Sequence, residues 1–204
     1  MDRAFLKSQA KQQIKGKIGM LFVITLIISL VSGLATAVLS VIPVVGPLAA
    51  TIIVTPALAL SLIRIYLNLT QGATPEVKDA FTGFDDFWSA FKVTFLVGLY
   101  TFLWSLLFVI PGIIKSFSYS MSMYILAENK GKSAKECIRE SMEMTDGHKM
   151  ELFVLGLSFI GWGFLVAITF GIAAIWVAPY MQATLTNAYN SLKPSSAAPV
   201  VDAE

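Results

Sequence analysis

Charged residues fall in a few clusters along the chain, and the stretches between them are almost wholly apolar. No Asp, Glu, Lys or Arg lies between Lys17 and Arg64 or between Lys92 and Lys115, and between Glu151 and Asp202 there is only Lys193. An uncharged apolar run of about 18 residues or more reads as a bilayer span. The first and last runs are each long enough for two. The pattern predicts an all-α protein, a polytopic transmembrane helical bundle with six spans at about residues 19–42, 48–69, 91–110, 113–127, 152–170 and 172–189. The spans meet in pairs at short uncharged turns, Pro43 to Pro47, Pro111-Gly112 and Phe170-Gly171, which makes three helical hairpins in series. Thr55-Pro56-Ala57 and Ala178-Pro179-Tyr180 repeat one motif in the second helix of the first and third pairs. The fourth segment covers only ~22 Å at ~1.5 Å per residue, against a hydrocarbon core of ~30 Å, so a re-entrant segment is the alternative there.

Amphipathic patterns flank the spans. In residues 1–18, Arg3, Lys7, Lys11 and Lys15 recur every fourth residue beside a stripe of Leu6, Ala10, Ile14 and Ile18. That spacing stacks the cations on one helix face and suits a helix lying on the membrane surface, its cations on anionic lipid headgroups. Thr74-Pro75-Glu76 reads as a helix start, and Val77, Phe81, Phe84, Trp88 and Phe91 as the aromatic face of a second interfacial helix. Ser133 and Glu136 match a capping box ahead of a short helix with Ala134, Ile138 and Met142 on one face and Gly147 at its end. Residues 19–192 form the membrane domain, and 193–204 a disordered tail.

Composition agrees: 56% of the 204 residues are hydrophobic and 14% charged. A net charge of +2 gives no support to a nucleic-acid partner. Lys and Arg cluster before the first span and in residues 73–90 and 128–151, whereas the hairpin turns carry none but the nearby Lys115. Because cytoplasmic flanks are the basic ones, both termini and both long loops are placed in the cytoplasm. The sole cysteine, Cys137, then lies in a reducing compartment as a small apolar filler. Ala35-Thr36-Ala37 imitates a signal-peptidase site, but the apolar run continues past it.

Candidate chemistry is sparse. Thr25, Ser29, Ser32, Thr36 and Ser40 draw one hydroxyl stripe along the first span, either a wall of a polar pathway or packing glue between helices. In the fourth segment Ser118 and Ser122 stand with Ser116 and Ser120 around the helix, as suits a helix buried among others. Lys115 and Arg64 are the ionisable groups at plausible membrane depth, and both sit near span ends where long cationic chains reach the interface. No Asp, Glu or His falls within a span, which argues against proton coupling. Asp85 and Asp86 diverge on a helix, and His148 has no companions for a metal site. No catalytic, cofactor-binding or metal-binding residue is assigned, and the chain is expected not to be an enzyme.

Three blocks carry a resemblance. They are Pro111-Gly112-Ile113-Ile114-Lys115 with Ser118-Tyr119-Ser120-Met121 and Tyr124-Ile125-Leu126-Ala127; Gly147-His148-Lys149 with Leu152-Phe153 and Leu157-Ser158-Phe159-Ile160-Gly161-Trp162; and Pro179-Tyr180-Met181-Gln182-Ala183-Thr184 with Tyr189. Over roughly residues 1–192 the chain resembles the bacterial membrane family called domain of unknown function 975. That family is distantly similar to the membrane domain of some glycerophosphodiester phosphodiesterases. The resemblance implies a bacterial cytoplasmic-membrane protein and brings no activity with it. The expected role is assembly with a membrane partner or a second copy, or organisation of lipid. A transporter or channel for a small or lipidic solute is the alternative.

Overall fold

The structure, a computed structural model, describes residues 2–40 and 45–193. Residues 194–204, most of the expected disordered tail, lie outside the described residues, as do 41–44 at the first turn. Every regular element among the described residues is helical: α1 (Arg3–Ile14), α2 (Ile18–Leu39), α3 (Val45–Thr70), α4 (Phe87–Leu107), α5 (Val109–Tyr119), α6 (Ser122–Glu128), α7 (Ala134–Thr145), α8 (Lys149–Leu157), α9 (Ile160–Ile168) and α10 (Ala174–Leu192). Three stretches are long and apolar enough to cross a membrane: Ile18–Leu39, Val77–Leu107 and Lys149–Ile168. Val54–Thr70 is a shorter apolar helix.

Several boundaries differ from the sequence expectation for local reasons. The break after the third span falls at Phe108, whose extended backbone separates α4 from α5, and not at Pro111-Gly112. Proline lacks an N–H that the first turn of a helix does not need, so Pro111 sits within the opening of α5. Gly112 lets α5 approach α4 closely: a Cβ there would lie 2.1 Å from Ser105 Oγ and 2.8 Å from Ser105 Cα. Residues 76–86 form two 3₁₀ turns, Val77–Phe81 and Phe84–Asp86, in place of an amphipathic helix. Glu76 caps the first of them in a reciprocal box with Asp79. The short helix after Ser133 has the expected capping box with Glu136, and Gly147 takes the left-handed backbone that glycine favours.

The molecule has two unlike ends. At one, α1, α7 and the charged loops pack on the ends of the apolar helices. Here lie the buried residues Leu60, Tyr66, Val93, Ile125, Leu155 and Tyr189. Polar groups cross-link this end. Tyr189 donates to Glu128 (2.8 Å), Gln182 to Tyr124 (3.1 Å), and Asn190 Nδ2 to Thr70 Oγ1 (3.1 Å), which ties α10 to α3. Ser141 on α7 donates to the Ser118 carbonyl (2.7 Å) and accepts from the Met121 N–H (3.1 Å), so α7 bridges the α5–α6 joint. The other end is apolar and open. Leu106, Phe108, Val109 and Ile110 at one tip, and Phe164, Ile168, Phe170 and Ile172 at another, are exposed. Phe170, 98% exposed, turns the chain with φ +48 beside Gly171 at φ +89.

Candidate functional site

Asp2 caps α1 by accepting from the N–H groups of Ala4 (2.9 Å) and Phe5 (3.2 Å). The stripe Leu6, Ala10 and Ile14 is buried, and α1 packs on α10. Gln13 donates to Asn187 Oδ1 (3.1 Å), and Asn187 donates to the Leu6 carbonyl (3.3 Å). Lys17 reaches the Ala73 carbonyl (2.9 Å). Held this way, α1 presents its cations beside α9 and α10. The Lys7 ammonium lies 4.8 Å from the centre of the Phe159 ring, and that of Lys11 5.8 Å from Tyr180. Arg3, Lys11 and Lys15 are exposed, and Lys7 is half-buried. Burial, with the nearby charges of Arg3 and Lys11, lowers the Lys7 ammonium below the ordinary lysine value.

The hydroxyl stripe of α2 is turned on its own helix. Thr25 donates to the Leu21 carbonyl (2.8 Å), Ser29 to Thr25 (2.9 Å), Thr36 to Ser32 (2.8 Å) and Ser40 to Ala37 (2.6 Å). Ser29, Thr36 and Ser40 are exposed, and Thr25 and Ser32 half-buried. Thr25 and Ser29 border a groove of about 190 Å³ between α2 and α10, otherwise lined by apolar groups such as Phe22, Leu26, Ile175 and Pro179. Ser118 and Ser122 are buried and donate to the carbonyls of Ile114 (3.1 Å) and Tyr119 (2.8 Å). Ser118 stands on α5, which packs on α4, α7 and α8, and Ser122 on α6, which packs on α3, α4 and α7, whereas the stripe is on α2, which packs on α3 and α10. Lys115 lies over the Trp104 ring, 5.1 Å from its centre.

Arg64 is only 9% exposed. It donates to the Thr82 carbonyl and to Asp86 Oδ2, both at 2.5 Å, fastening the 3₁₀ turns to α3. The chain gave each charge separately but not their meeting across 22 positions. A polar cleft of about 340 Å³ opens beside this pair, lined by Arg64, Asn68, Gln71 and Glu128. His148 Nδ1 is 3.1 Å from Glu151. Among the described residues no three His, Cys, Asp or Glu stand together as metal ligands do. An apolar groove of about 400 Å³ runs between α3 and α4 past Ile52, Pro56, Phe91, Phe95 and Phe102.

Cys137 is buried within α7's packed face. Burial and the neighbouring Glu140 push its thiol up to about 11. The thiolate is the reactive form, so iodoacetamide at neutral pH is expected to leave Cys137 unmodified in the folded protein and to modify it after denaturation. Rapid reaction in the folded state would mean that α7 does not stay docked.

A family model described as "Protein of unknown function (DUF975)" matches residues 1–116 and 106–196. No curated protein and no solved structure matches the chain.

Proposed function

We propose that this chain, which belongs to the family DUF975, works in the bacterial cytoplasmic membrane without catalysis, as a six-span protein that organises lipid around a rigid cytoplasmic layer. One observation carries the reading: the two ends of the molecule are built for different solvents. The packed end joins its polar groups to one another and buries them, as a layer in contact with water and headgroups requires. The tips expose large apolar side chains with no cover, a state that is favourable in hydrocarbon and costly in water. The groove between α3 and α4 has the apolar lining that an acyl chain needs. A transporter would need a continuous polar route, and the groove that Thr25 and Ser29 border is otherwise walled by apolar groups.

Two measurements test this reading. In a Cys137→Ala background, a membrane-impermeant maleimide applied to intact cells should label Ser40→Cys and spare Lys130→Cys. Labelling at Lys130→Cys would reverse the orientation. Purified in mild detergent, the chain should retain phospholipid and melt at lower temperature as the lipid is stripped. A melting temperature indifferent to delipidation would sink the lipid-organising role.

A further inference from the structure

We infer that α1, α9 and α10 together form a binding site for one anionic phospholipid, its phosphate on Lys7 and Lys11 and part of an acyl chain in the slot beneath them. The inference rests on the lipid-organising reading and supplies its chemistry.

The first observation is charge without a counter-charge. Among the described residues, no carboxylate lies within ion-pairing distance of Arg3, Lys7 or Lys11. Elsewhere at the packed end Lys132, Lys149 and Lys193 each meet one, in Glu140, Asp146 and Glu128. The two α1 lysines are instead held over the rings of Phe159 and Tyr180. A ring face attracts the ammonium but leaves its N–H donors free for an anion. Arg3 and Lys7 also border an open cleft of about 450 Å³ with Ser158 and Asp2, whose carboxylate is engaged in capping α1. Crowding of Lys7 by Arg3 and Lys11 is relieved by a phosphate placed among them.

The second observation is the slot itself. Directly beside Lys11 a gap of about 160 Å³ runs between α1, α9 and α10, walled by Ile14, Trp162, Trp176, Val177 and Tyr180 and almost free of polar surface. Cavities of about 150 Å³ with apolar walls accept six-carbon hydrocarbons. Trp162 and Trp176, 37% and 55% exposed, flank the slot as amphipathic rings do at a headgroup boundary. A free phosphate would use the lysines and ignore the slot, and a neutral or zwitterionic lipid would use the slot and gain less from the lysines. An anionic phospholipid uses both.

The test leaves Trp162 and Trp176 as the only tryptophans, through Trp88→Phe and Trp104→Phe, and places the full chain in phosphatidylcholine nanodiscs. Brominated phosphatidylglycerol and brominated phosphatidylcholine, each at the same low mole fraction, then serve as quenchers. The phosphatidylglycerol should quench at about tenfold lower mole fraction, and Lys7→Gln with Lys11→Gln should cut that preference to about twofold or less. Lys7→Arg with Lys11→Arg should retain it, as should the charge-matched control Lys130→Gln with Lys135→Gln. Soluble glycerol phosphate should not displace the lipid; if it does, the site takes a free phosphate and the lipid assignment is wrong. Equal quenching by both lipids overturns the anionic site while leaving the broader lipid reading intact. Quenching by neither means that α9 and α10 do not face lipid, and both fall.

Discussion

Gly83→Ala is expected to unfold the packed end at a temperature lower by roughly 10 °C. The reason is space, not backbone freedom, because Gly83 has φ −75 and ψ −17, which any residue adopts. Its N–H donates to Ser61 Oγ (2.8 Å), and that hydroxyl donates to the Ala57 carbonyl (3.1 Å), so the turn lies flush on the backbone of α3. A Cβ at this position would lie 1.9 Å from the Ala57 oxygen and 2.8 Å from the Ser61 nitrogen. Backbone of a helix cannot yield as a side chain would, so the turn itself must lift. Lifting it breaks the buried bond to Ser61 and strains the neighbouring grip of Arg64. Overpacking of this kind costs about 1–3 kcal/mol and an orphaned buried donor about as much again. A total of about 4 kcal/mol corresponds to the stated shift for a chain of this size. Gly156→Ala is the control, because a Cβ there meets nothing within 4 Å. Thermal melts of the detergent-solubilised proteins decide the matter: Gly83→Ala within about 2 °C of the parent would show that the turn does not bear on α3.

Arg64→Met should be nearly as damaging, and for an electrostatic reason. The arginine leaves Asp86, a carboxylate only about a quarter exposed, without its partner. Breaking a buried pair from one side costs about 3–5 kcal/mol. Partial hydration of Asp86 puts the expected loss near the lower figure. Arg64 Nε, buried with no acceptor among the described residues, is a further reason for a moderate value, since the substitution also removes that unsatisfied donor. Adding Asp86→Asn removes the stranded charge, so the double variant should melt above Arg64→Met. If the double variant melts with or below the single one, the pair is not what holds the 3₁₀ turns to α3.

What the chain disclosed before its fold was known divides by the range of the interaction. The capping box of Ser133 and Glu136 and the left-handed Gly147 are settled within a few residues and were readable at once. Helices long and apolar enough to cross a membrane follow from charge-free length alone. The N-terminal stripe of Leu6, Ala10 and Ile14 was readable as a stripe, but not its partner. An apolar face is satisfied equally by lipid and by another helix, and Asn187, which receives Gln13 and grips the Leu6 carbonyl, lies at the far end of the chain. Arg64 and Asp86 escaped for the same reason, each being plausible alone as a cation or anion at a span end. The hydroxyls of α2 leave two readings open in the sequence, because Ser and Thr at helical spacing can line a polar route or bond back to the turn before them, and Thr25 and Thr36 do the latter. Pro111 misplaced a boundary because proline both ends helices and begins them.

The bond between Asn190 and Thr70 sets α10 and α3 at a common depth. From it, about 37 Å of helix leads to Val45 but only about 24 Å to Ala174, at about 1.5 Å per residue. A bilayer thick enough for α3 overshoots the tip at Phe170, and hydrocarbon thickness adjusts to the protein more readily than packed helices adjust to it. The leaflets beside α9 and α10 would therefore be drawn together, while those around α3 keep their span. Such a lopsided mismatch gathers short or disordered acyl chains on one flank. In a bilayer crossed as proposed above, this would give the protein a thickness gradient around its circumference, with the thinner membrane on the α9–α10 flank.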